Sequence, residues 1–402
     1  MPPEPPQLPE EAGLITQRGA GIVTLPNGGS PALSEMISRS LIHLHTSKVV
    51  GKRHCIGEHE LCGPDYRLVC TWAEQLRLTP EDVLKRLLMQ PDSREVRPSS
   101  IVAGRFIKLY VDGEALPVSF LPTIAGLAID TLSMRNGAFT KLDLSPLQKL
   151  KILLCASNRL IELDLSKVPN LEVLYCSSNE LTELDLSGVP NLRGLVCLSN
   201  QLTELDLSVV PRLTVLSCSG NQLTELDLSQ VPNLGEMECS KNQLTELDLS
   251  EVPNLGKLWC SGNQLTAMDL SEVPILTVLN CSGNQLTELD LSQVPNLREM
   301  VCSKNQLTEL DLSEVPSLTV LICSGNQLTA MDLSEVPILT VLNCSGNQLT
   351  ELDLSVVPHL THLRCQDNHL SELDIRPLQY LSCLEYDKSK TRLIQRSDQN
   401  FK

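Results

Sequence analysis

The sequence predicts a repeat fold of the α/β class, a solenoid in which short parallel strands stack side by side along most of the chain. The first observation is a 21-residue period, marked by cysteine from Cys155 to Cys365 and by asparagine three residues later, from Asn158 to Asn368. The second is that leucine, valine and proline recur at fixed positions within each period. A self-similar period of this length is typical of stacked repeats, in which each repeat buries its apolar edge against the next.

Each repeat is expected to hold one short strand and to have a narrow outer side. In the repeat at 170–190, alternation along the strand directs Leu174 and Cys176 to the core and Tyr175 to the opposite face. The Asn179 side chain is expected to satisfy backbone groups of adjacent turns. Pro190 disfavours helix in the residue before it, so the outer side should be extended or a single tight turn.

The pattern weakens at both ends, as expected of capping repeats. Residues 109–111 and 132–134 predict degenerate first repeats, and residues 384–386 predict a degenerate last one. The predicted domains are a disordered proline-rich lead at 1–29, a small helical module or N-terminal cap at 30–100, the solenoid at 101–375, and a C-terminal cap and tail at 376–402.

The predicted N-terminal module contains two helical patterns. Residues 30–46 have amphipathic spacing, and residues 66–89 contain a helix start, with Thr79 as N-cap and Pro80 at the first helical position. A DNA-binding helix–turn–helix is disfavoured because no basic stripe accompanies the helices.

Buried cysteines and surface histidines are favoured over a zinc site, because zinc ligands usually come in short pairs. The zinc alternative would use His54, Cys55, His59, Cys62 and Cys70.

Composition limits the partners that the chain can take. The net charge of the 402 residues is −17, which disfavours nucleic acid or an anionic membrane as a partner. The N-terminal residues do not resemble a secretory signal, and no apolar stretch is long enough to span a membrane. A monomeric, cytoplasmic protein is therefore expected.

Two polar series follow the period. The cysteines are expected to be free thiols that act as small core atoms, because parallel side chains on adjacent strands do not meet disulfide geometry. Twelve aspartates run from Asp143 to Asp374 at the same spacing, and each is expected to accept hydrogen bonds from its turn, such as Asp185 from Ser187. Calcium binding is disfavoured. Repulsion between stacked carboxylates predicts raised pKa values for interior members of the series.

The consensus LxxLxCxxNxLTxLDLSxVPx is the leucine-rich repeat pattern. With one cysteine per 21 residues over about 129–375, it resembles the short bacterial leucine-rich repeats of the internalin J class. The resemblance implies a right-handed parallel-strand solenoid that contacts proteins or ligands.

No nucleophile, phosphate-binding or metalloprotease motif is present, so we expect neither an enzyme nor a cofactor. Two alternatives are a structural scaffold whose specificity lies in the N-terminal module, and an effector delivered to a host cell.

A longer duplication indicates where a partner binds. Residues 230–292 and 293–355 are copies that differ at six positions, five of them on or beside the strand residues expected to face away from the core. Either drift or selection for binding explains this distribution. The binding hypothesis centres on Trp259, the one tryptophan in the repeats, because tryptophan often anchors interfaces. The predicted partner-binding residues on the concave face are Tyr175, Glu236, Glu238, Lys257, Trp259, Asn280, Glu299 and Arg364.

Overall fold

The computed structural model describes residues 53–56, 59–62, 67, 69–70, 72–73, 80, 83, 100–102, 105–112, 129–145, 147–399 and 401. Of these, the strands before residue 113 are described by their backbone alone. The predicted lead at 1–29 and the predicted helix at 30–46 lie outside the described residues.

A single sheet of 15 strands forms most of the described chain, and two further pairs of strands lie outside it. The first pair is antiparallel and consists of β1 (Arg53–Ile56) and β2 (His59–Cys62). The large sheet contains β3 (Ser100–Val102), β4 (Arg105–Asp112), β5 (Thr131–Arg135), β6 (Ile152–Leu154), β7 (Val173–Tyr175), β8 (Gly194–Val196), β9 (Val215–Ser217), β10 (Glu236–Glu238), β11 (Lys257–Trp259), β12 (Val278–Asn280), β13 (Glu299–Val301), β14 (Val320–Ile322), β15 (Val341–Asn343), β16 (His362–Arg364) and β18 (Cys383–Glu385). The last pair consists of β17 (Glu372–Asp374) and β19 (Arg392–Ile394).

Every neighbouring pair from β4 to β16, and then β16 with β18, is parallel and in matching register. Leu174 pairs with Leu195, one repeat further on. The degenerate repeats were predicted correctly, because Leu109 pairs with Leu132 and Leu363 pairs with Leu384. Two pairings were not predicted, the antiparallel contact of β3 with β4 and the parallel contact of β17 with β19.

The core is a stack of aliphatic layers between the sheet and the outer turns. Leu174, Cys176 and Val189 are all 0 % exposed, and the same positions are buried in every repeat from 155 to 365. The asparagine of each repeat makes hydrogen bonds both within its own repeat and to the repeat before it. Asn221 Nδ2 donates to the Cys218 carbonyl at 2.9 Å and to the Cys197 carbonyl at 3.0 Å, while its Oδ1 accepts from the Leu202 amide at 3.1 Å. The predicted role of this asparagine is confirmed.

The outer side of each repeat is narrow, as predicted. The Val189 amide donates to the Leu186 carbonyl at 3.0 Å, and the Leu192 amide donates to the Val189 carbonyl at 3.0 Å. These two tight turns recur along the array, and no helix occurs on the outer side of the described repeats. The proline in each repeat is therefore accommodated in a turn that needs no amide from it.

Described residues within the predicted N-terminal module pack against the first repeats of the core. Helical residues occur within the predicted 66–89 segment, and Val69, Trp72 and Val83 belong to the same hydrophobic cluster as Ile129 and Leu132. In the sequence, the β1–β2 pair falls between the two predicted helical segments, where no strand was predicted. The backbones of His54, Cys55, His59 and Cys62 lie on this pair, and the zinc alternative, which the sequence disfavours, stays untested there.

Candidate partner-binding face

The sheet has one face against the core and one face pointing away from it. In each three-residue strand the middle residue packs into the core, whereas the first and third residues lie on the other face. We call this other face the concave face, because the strands of a leucine-rich repeat array line the inside of its arc. The predicted orientation of Leu174, Tyr175 and Cys176 is confirmed, since Tyr175 belongs to a separate cluster from the core.

The second half of the concave face, from β10 to β16, is charged and partly open to solvent. Trp259 is half-buried on β11, between Glu238 on β10 and Asn280 on β12. Beside it, Lys257 Nζ contacts Glu236 Oε1 at 2.9 Å, and the two side chains are 32 % and 13 % exposed. The arrangement holds an aromatic ring in place at the centre of a polar surface, which is the usual composition of an interface anchor.

Two glutamates on this half have unusual acidity. Burial raises the pKa of Glu238 to about 7, so this carboxyl titrates near neutral pH. Burial also raises the pKa of Glu299, and the charge of Lys257 lowers it in part. Glu299 lies opposite Val320 on the next strand, whereas the equivalent Glu236 lies opposite Lys257. The first of the two sequence copies therefore has an ion pair that the second lacks.

The remaining predicted residues are held by neighbours within the chain. Arg364 Nη2 contacts Glu385 Oε1 at 2.8 Å, which links β16 to its neighbour β18. Asn280 Oδ1 accepts a hydrogen bond from the Ser282 amide at 3.1 Å. Both side chains are half-buried and lie on the same face as Trp259.

The first half of the concave face, from β6 to β9, is apolar and buried. Its hydrophobic cluster consists of Ile152, Leu154, Ala156, Val173, Tyr175, Val196, Leu198 and Val215. Tyr175 is only 6 % exposed, and the Arg135 guanidinium lies over its ring at 5.1 Å from the centroid. The structure thus places Tyr175 away from the other predicted binding residues, in a buried apolar cluster.

Sequence reasoning missed this division of the face. It grouped Tyr175 with the residues from Glu236 to Arg364 as one binding surface. The signal was present in the residue types: in β6–β9 the first and third positions carry no charged residue, whereas Glu, Lys, His or Arg recur from Glu236 onward. His362 and Ile322 on the open half were also not chosen, although both are half-buried on the face that carries Trp259.

The aspartate series is structural, and the expectation of raised pKa values was wrong. Asp185 Oδ1 accepts a hydrogen bond from the Ser187 amide at 2.8 Å, and bonding with Ser187 lowers the pKa of the carboxyl. The same cause lowers the pKa of interior members such as Asp227 and Asp290. These carboxylates lie at the surface, where water screens the repulsion between them and leaves the local hydrogen bonds dominant.

The Glu-Leu-Asp segments of successive repeats line a shallow acidic groove from Glu162 to Asp269. Within the described residues no group of three or more histidine, cysteine or carboxylate side chains has a metal-binding arrangement. Each interior aspartate of this groove is instead held by the serine two residues later, as in Asp206 and Ser208.

The cysteine series has the predicted character. Cys155 to Cys365 are free thiols and essentially fully buried. Burial raises the pKa of Cys155 and of Cys281 to about 12, so neither thiol ionises at neutral pH. A neutral thiol in an aliphatic layer contributes packing and neither metal binding nor nucleophilic chemistry.

The stacked parallel strands, the 21-residue period and the buried cysteines define a leucine-rich-repeat protein of the cysteine-ladder class. The chain is similar to the functional domain of InlJ from Listeria monocytogenes, which includes a cysteine ladder. The two share 34 % identity over 71 % of this chain, with a TM-score of 0.66. The match spans 64 % of the InlJ chain.

Two further solved structures have the same fold. The leucine-rich repeat protein LIC12759 of Leptospira interrogans is 25 % identical, with a TM-score of 0.64, over 71 % of this chain and 79 % of its own. YopM, a leucine-rich effector protein of Yersinia pestis, is 26 % identical, with a TM-score of 0.58, over 72 % of this chain and 88 % of its own. No protein-family model and no curated protein matches the chain. No helix among the described residues is long and apolar enough to cross a membrane.

Proposed function

We propose that the chain binds a protein partner on the second half of its concave face, from β10 to β16, with Trp259 as the anchor. The observation that carries the proposal is the placement of Trp259: a half-buried ring at the centre of the sheet, with the Glu236–Lys257 ion pair on the same strands. Aromatic residues surrounded by a polar rim dominate many protein interfaces.

The differences between the two sequence copies support this choice. The copies keep every core residue and differ at Gly235/Arg298, Glu238/Val301, Asn254/Ser317, Gly256/Thr319, Lys257/Val320 and Trp259/Ile322. None of these positions faces the aliphatic core, and three of them are the first or third residues of a strand. The fold leaves such positions free to vary, so they are where a specific surface arises.

The proposed contact residues are Glu236, Glu238, Lys257, Trp259, Asn280, Glu299 and Arg364. Tyr175 is left out of this set because its side chain is buried. The open half carries both signs of charge, which favours a partner with a mixed polar rim over a purely basic one. The proposal is for binding and assigns no catalytic step to the chain.

The test is capture of the partner from the native source, followed by measurement of its affinity for matched variants. Trp259→Ala is expected to weaken binding about 30-fold, which corresponds to a loss of about 2 kcal/mol for an anchor residue. The control is Ile322→Ala, the same position in the second copy, which is expected to change affinity by less than about threefold. Melting temperatures close to that of the unmodified chain would show that both variants retain the fold.

The proposal fails if Trp259→Ala binds as tightly as the unmodified chain. It also fails if the variant melts far earlier, because Trp259 would then be a packing residue. The scaffold alternative predicts a third pattern: binding insensitive to Trp259 and Ile322 but abolished by changes in residues 30–100.

An effector role is the second candidate, supported by the 26 % identity with YopM, a leucine-rich effector protein. Detection of the chain inside host cells after contact with the source organism would support this role. Retention of all the protein within the source cells would contradict it.

A further inference from the structure

Glu238 lies where the buried half and the open half of the concave face meet. On one side its strand β10 pairs with β9, whose Val215 and Ser217 are 3 % and 1 % exposed. On the other side Glu238 lies directly opposite Trp259 on β11. Burial in this position raises the pKa of the carboxyl to about 7, and the Ser217 hydroxyl offsets the effect only in part. One carboxyl is therefore held between a buried surface and the proposed anchor.

Among the described side chains, the burial of Glu238 is not compensated by a cation. The cation on the adjacent strand, Lys257, stands at the first strand position, where its Nζ contacts Glu236 Oε1 at 2.9 Å. Its charge also lowers the pKa of Glu299, which is another first-position residue. The third positions of β9 to β15 carry a single charged residue, Glu238, in the series Ser217, Glu238, Trp259, Asn280, Val301, Ile322 and Asn343. The row that contains Trp259 is thus neutral whenever Glu238 is protonated.

The other ionisable groups around β10 do not change charge with Glu238. Cys218 and Cys239 follow β9 and β10 directly and are 0 % exposed, and burial raises the pKa of both thiols, so they stay neutral. Lys241 is exposed in the bend that follows β10. Glu236 is held by Lys257. Glu238 is therefore the group on this strand whose charge changes near neutral pH.

A partner that covers Trp259 also covers the carboxyl beside it. Adjacent parallel strands are about 4.8 Å apart, so a contact on Trp259 removes water from Glu238 as well. Loss of water disfavours a carboxylate strongly and a neutral carboxylic acid much less. Beyond Trp259 the same row continues with Asn280, Val301 and Ile322, which present amide and aliphatic groups to the partner.

We propose that the partner segment seated on Trp259 is uncharged and apolar, and that the chain binds it tightly only when Glu238 is protonated. This inference rests on the proposed function, because it concerns the same face. Binding then takes up a proton, so affinity is highest in mildly acidic solution and falls by up to about tenfold per pH unit above neutrality. The second sequence copy has Val301 and Ile322 in place of Glu238 and Trp259, so it lacks both the anchor and the titrating group.

Titration of the captured partner against the full chain over a range of pH tests the proposal. Between about pH 5.5 and pH 8.5 the affinity of the unmodified chain should fall at least about tenfold. Glu238→Gln should bind at pH 8.5 as tightly as the unmodified chain binds at pH 5.5, because its amide stays neutral. The matched control is Glu251→Gln, which removes the same charge from an exposed residue outside the sheet and should keep the fall. Comparison of the two variants separates titration of Glu238 from titration of the partner.

Carbon-13 NMR of the Glu238 carboxyl gives a second readout. Its pKa should be higher in the complex than in the free chain, because binding favours the neutral form. Affinity that is constant over the pH range would overturn the inference, and so would affinity that rises with pH, since the partner would then place a cation on Glu238. If Trp259→Ala still weakens binding in either case, the proposed function stands and only the inference fails. If Trp259→Ala has no effect at any pH, the proposed function fails and the inference fails with it.

Discussion

The two halves of the concave face share one fold but differ in the polarity and the solvent exposure of their side chains. Both halves have the same register, the same leucine and cysteine core and the same asparagine hydrogen bonds. In β6–β9 the face is apolar and buried, whereas in β10–β16 it is charged and half-buried. Stacking constrains only the side of the strand that meets the core, so the other side is free to specialise along the length of one sheet.

The largest expected effect comes from placing the same charge at the same strand position in each half. Val196→Asp should cost about 3 kcal/mol or more, because it leaves an unpaired carboxylate in a buried cluster. Val301→Asp should cost less than about 1 kcal/mol, because its side chain reaches water. Urea unfolding of both variants measures the difference. Equal costs would show that the two halves are equally exposed.

A smaller effect is expected from Glu238, whose pKa is raised to about 7. A carboxyl with a folded pKa above its unfolded value takes up a proton on folding, so its contribution to stability falls as pH rises from about 4.5 to 7. Glu238→Gln should therefore stabilise the chain at pH 8 by about 1–2 kcal/mol, allowing for its partial exposure, and by little at pH 4.5. Thermal melts across this range test the sign. A benefit larger at pH 4.5 than at pH 8 would contradict the burial of Glu238.

A still smaller effect is expected from exchanging residues between the two copies. Lys257→Val removes the partner of Glu236 and should cost about 0.5–1 kcal/mol, as is usual for a pair this accessible. Val320→Lys places a cation opposite Glu299 and should lower the pKa of that carboxyl towards its ordinary value. Carboxyl titration by NMR follows both variants. An unchanged Glu299 pKa in Val320→Lys would show that the two side chains do not meet.

The smallest difference is expected between Asp185 and Asp290, which lie in different halves but away from the concave face. Both pKa values are lowered by hydrogen bonds with serine, so both carboxyls should titrate below the ordinary aspartate range. The stability that they contribute is present above the ordinary aspartate pKa and is lost as pH falls through their lowered values. A clear difference between the two in NMR titration would mean that the halves differ beyond the concave face.

The sequence predicts the core of this fold well because one residue type at each position is repeated many times. Leu174, Cys176 and Asn179 were assigned correctly from alternation and from the period alone. The aspartate pKa values were predicted with the wrong sign, because the argument gave repulsion between Asp185 and its neighbours more weight than the hydrogen bond from Ser187. Both effects were visible in the sequence, but only geometry shows that the carboxylates are exposed to water.

The candidate site is harder to predict from the sequence than the core is. Trp259 was placed correctly on the concave face, because alternation fixes the side of the strand. Tyr175 was grouped with it by the same rule, yet its exposure depends on the packing around it, an apolar cluster and the Arg135 guanidinium over its ring, and not on its strand position alone. The β1–β2 pair was not predicted either, because its residues 53–62 show no clear alternation, although Gly57 stands where a two-residue hairpin loop favours glycine.

The most direct test of the account is to transfer the proposed binding residues from the first sequence copy, 230–292, to the equivalent positions of the second copy, 293–355. The first variant carries Glu238→Val, Lys257→Val and Trp259→Ile, which gives the first copy the strand residues of the second. The second variant adds Val301→Glu, Val320→Lys and Ile322→Trp in the same chain. Because both sets already occur in the protein, the fold should be retained in each. Titration with the captured partner should show binding weakened at least about 30-fold in the first variant and only partly restored in the second, because Arg364 has no counterpart one copy further on and His362 stands at the position of Glu299. Unweakened binding by the first variant would contradict the proposal that these strands form the site.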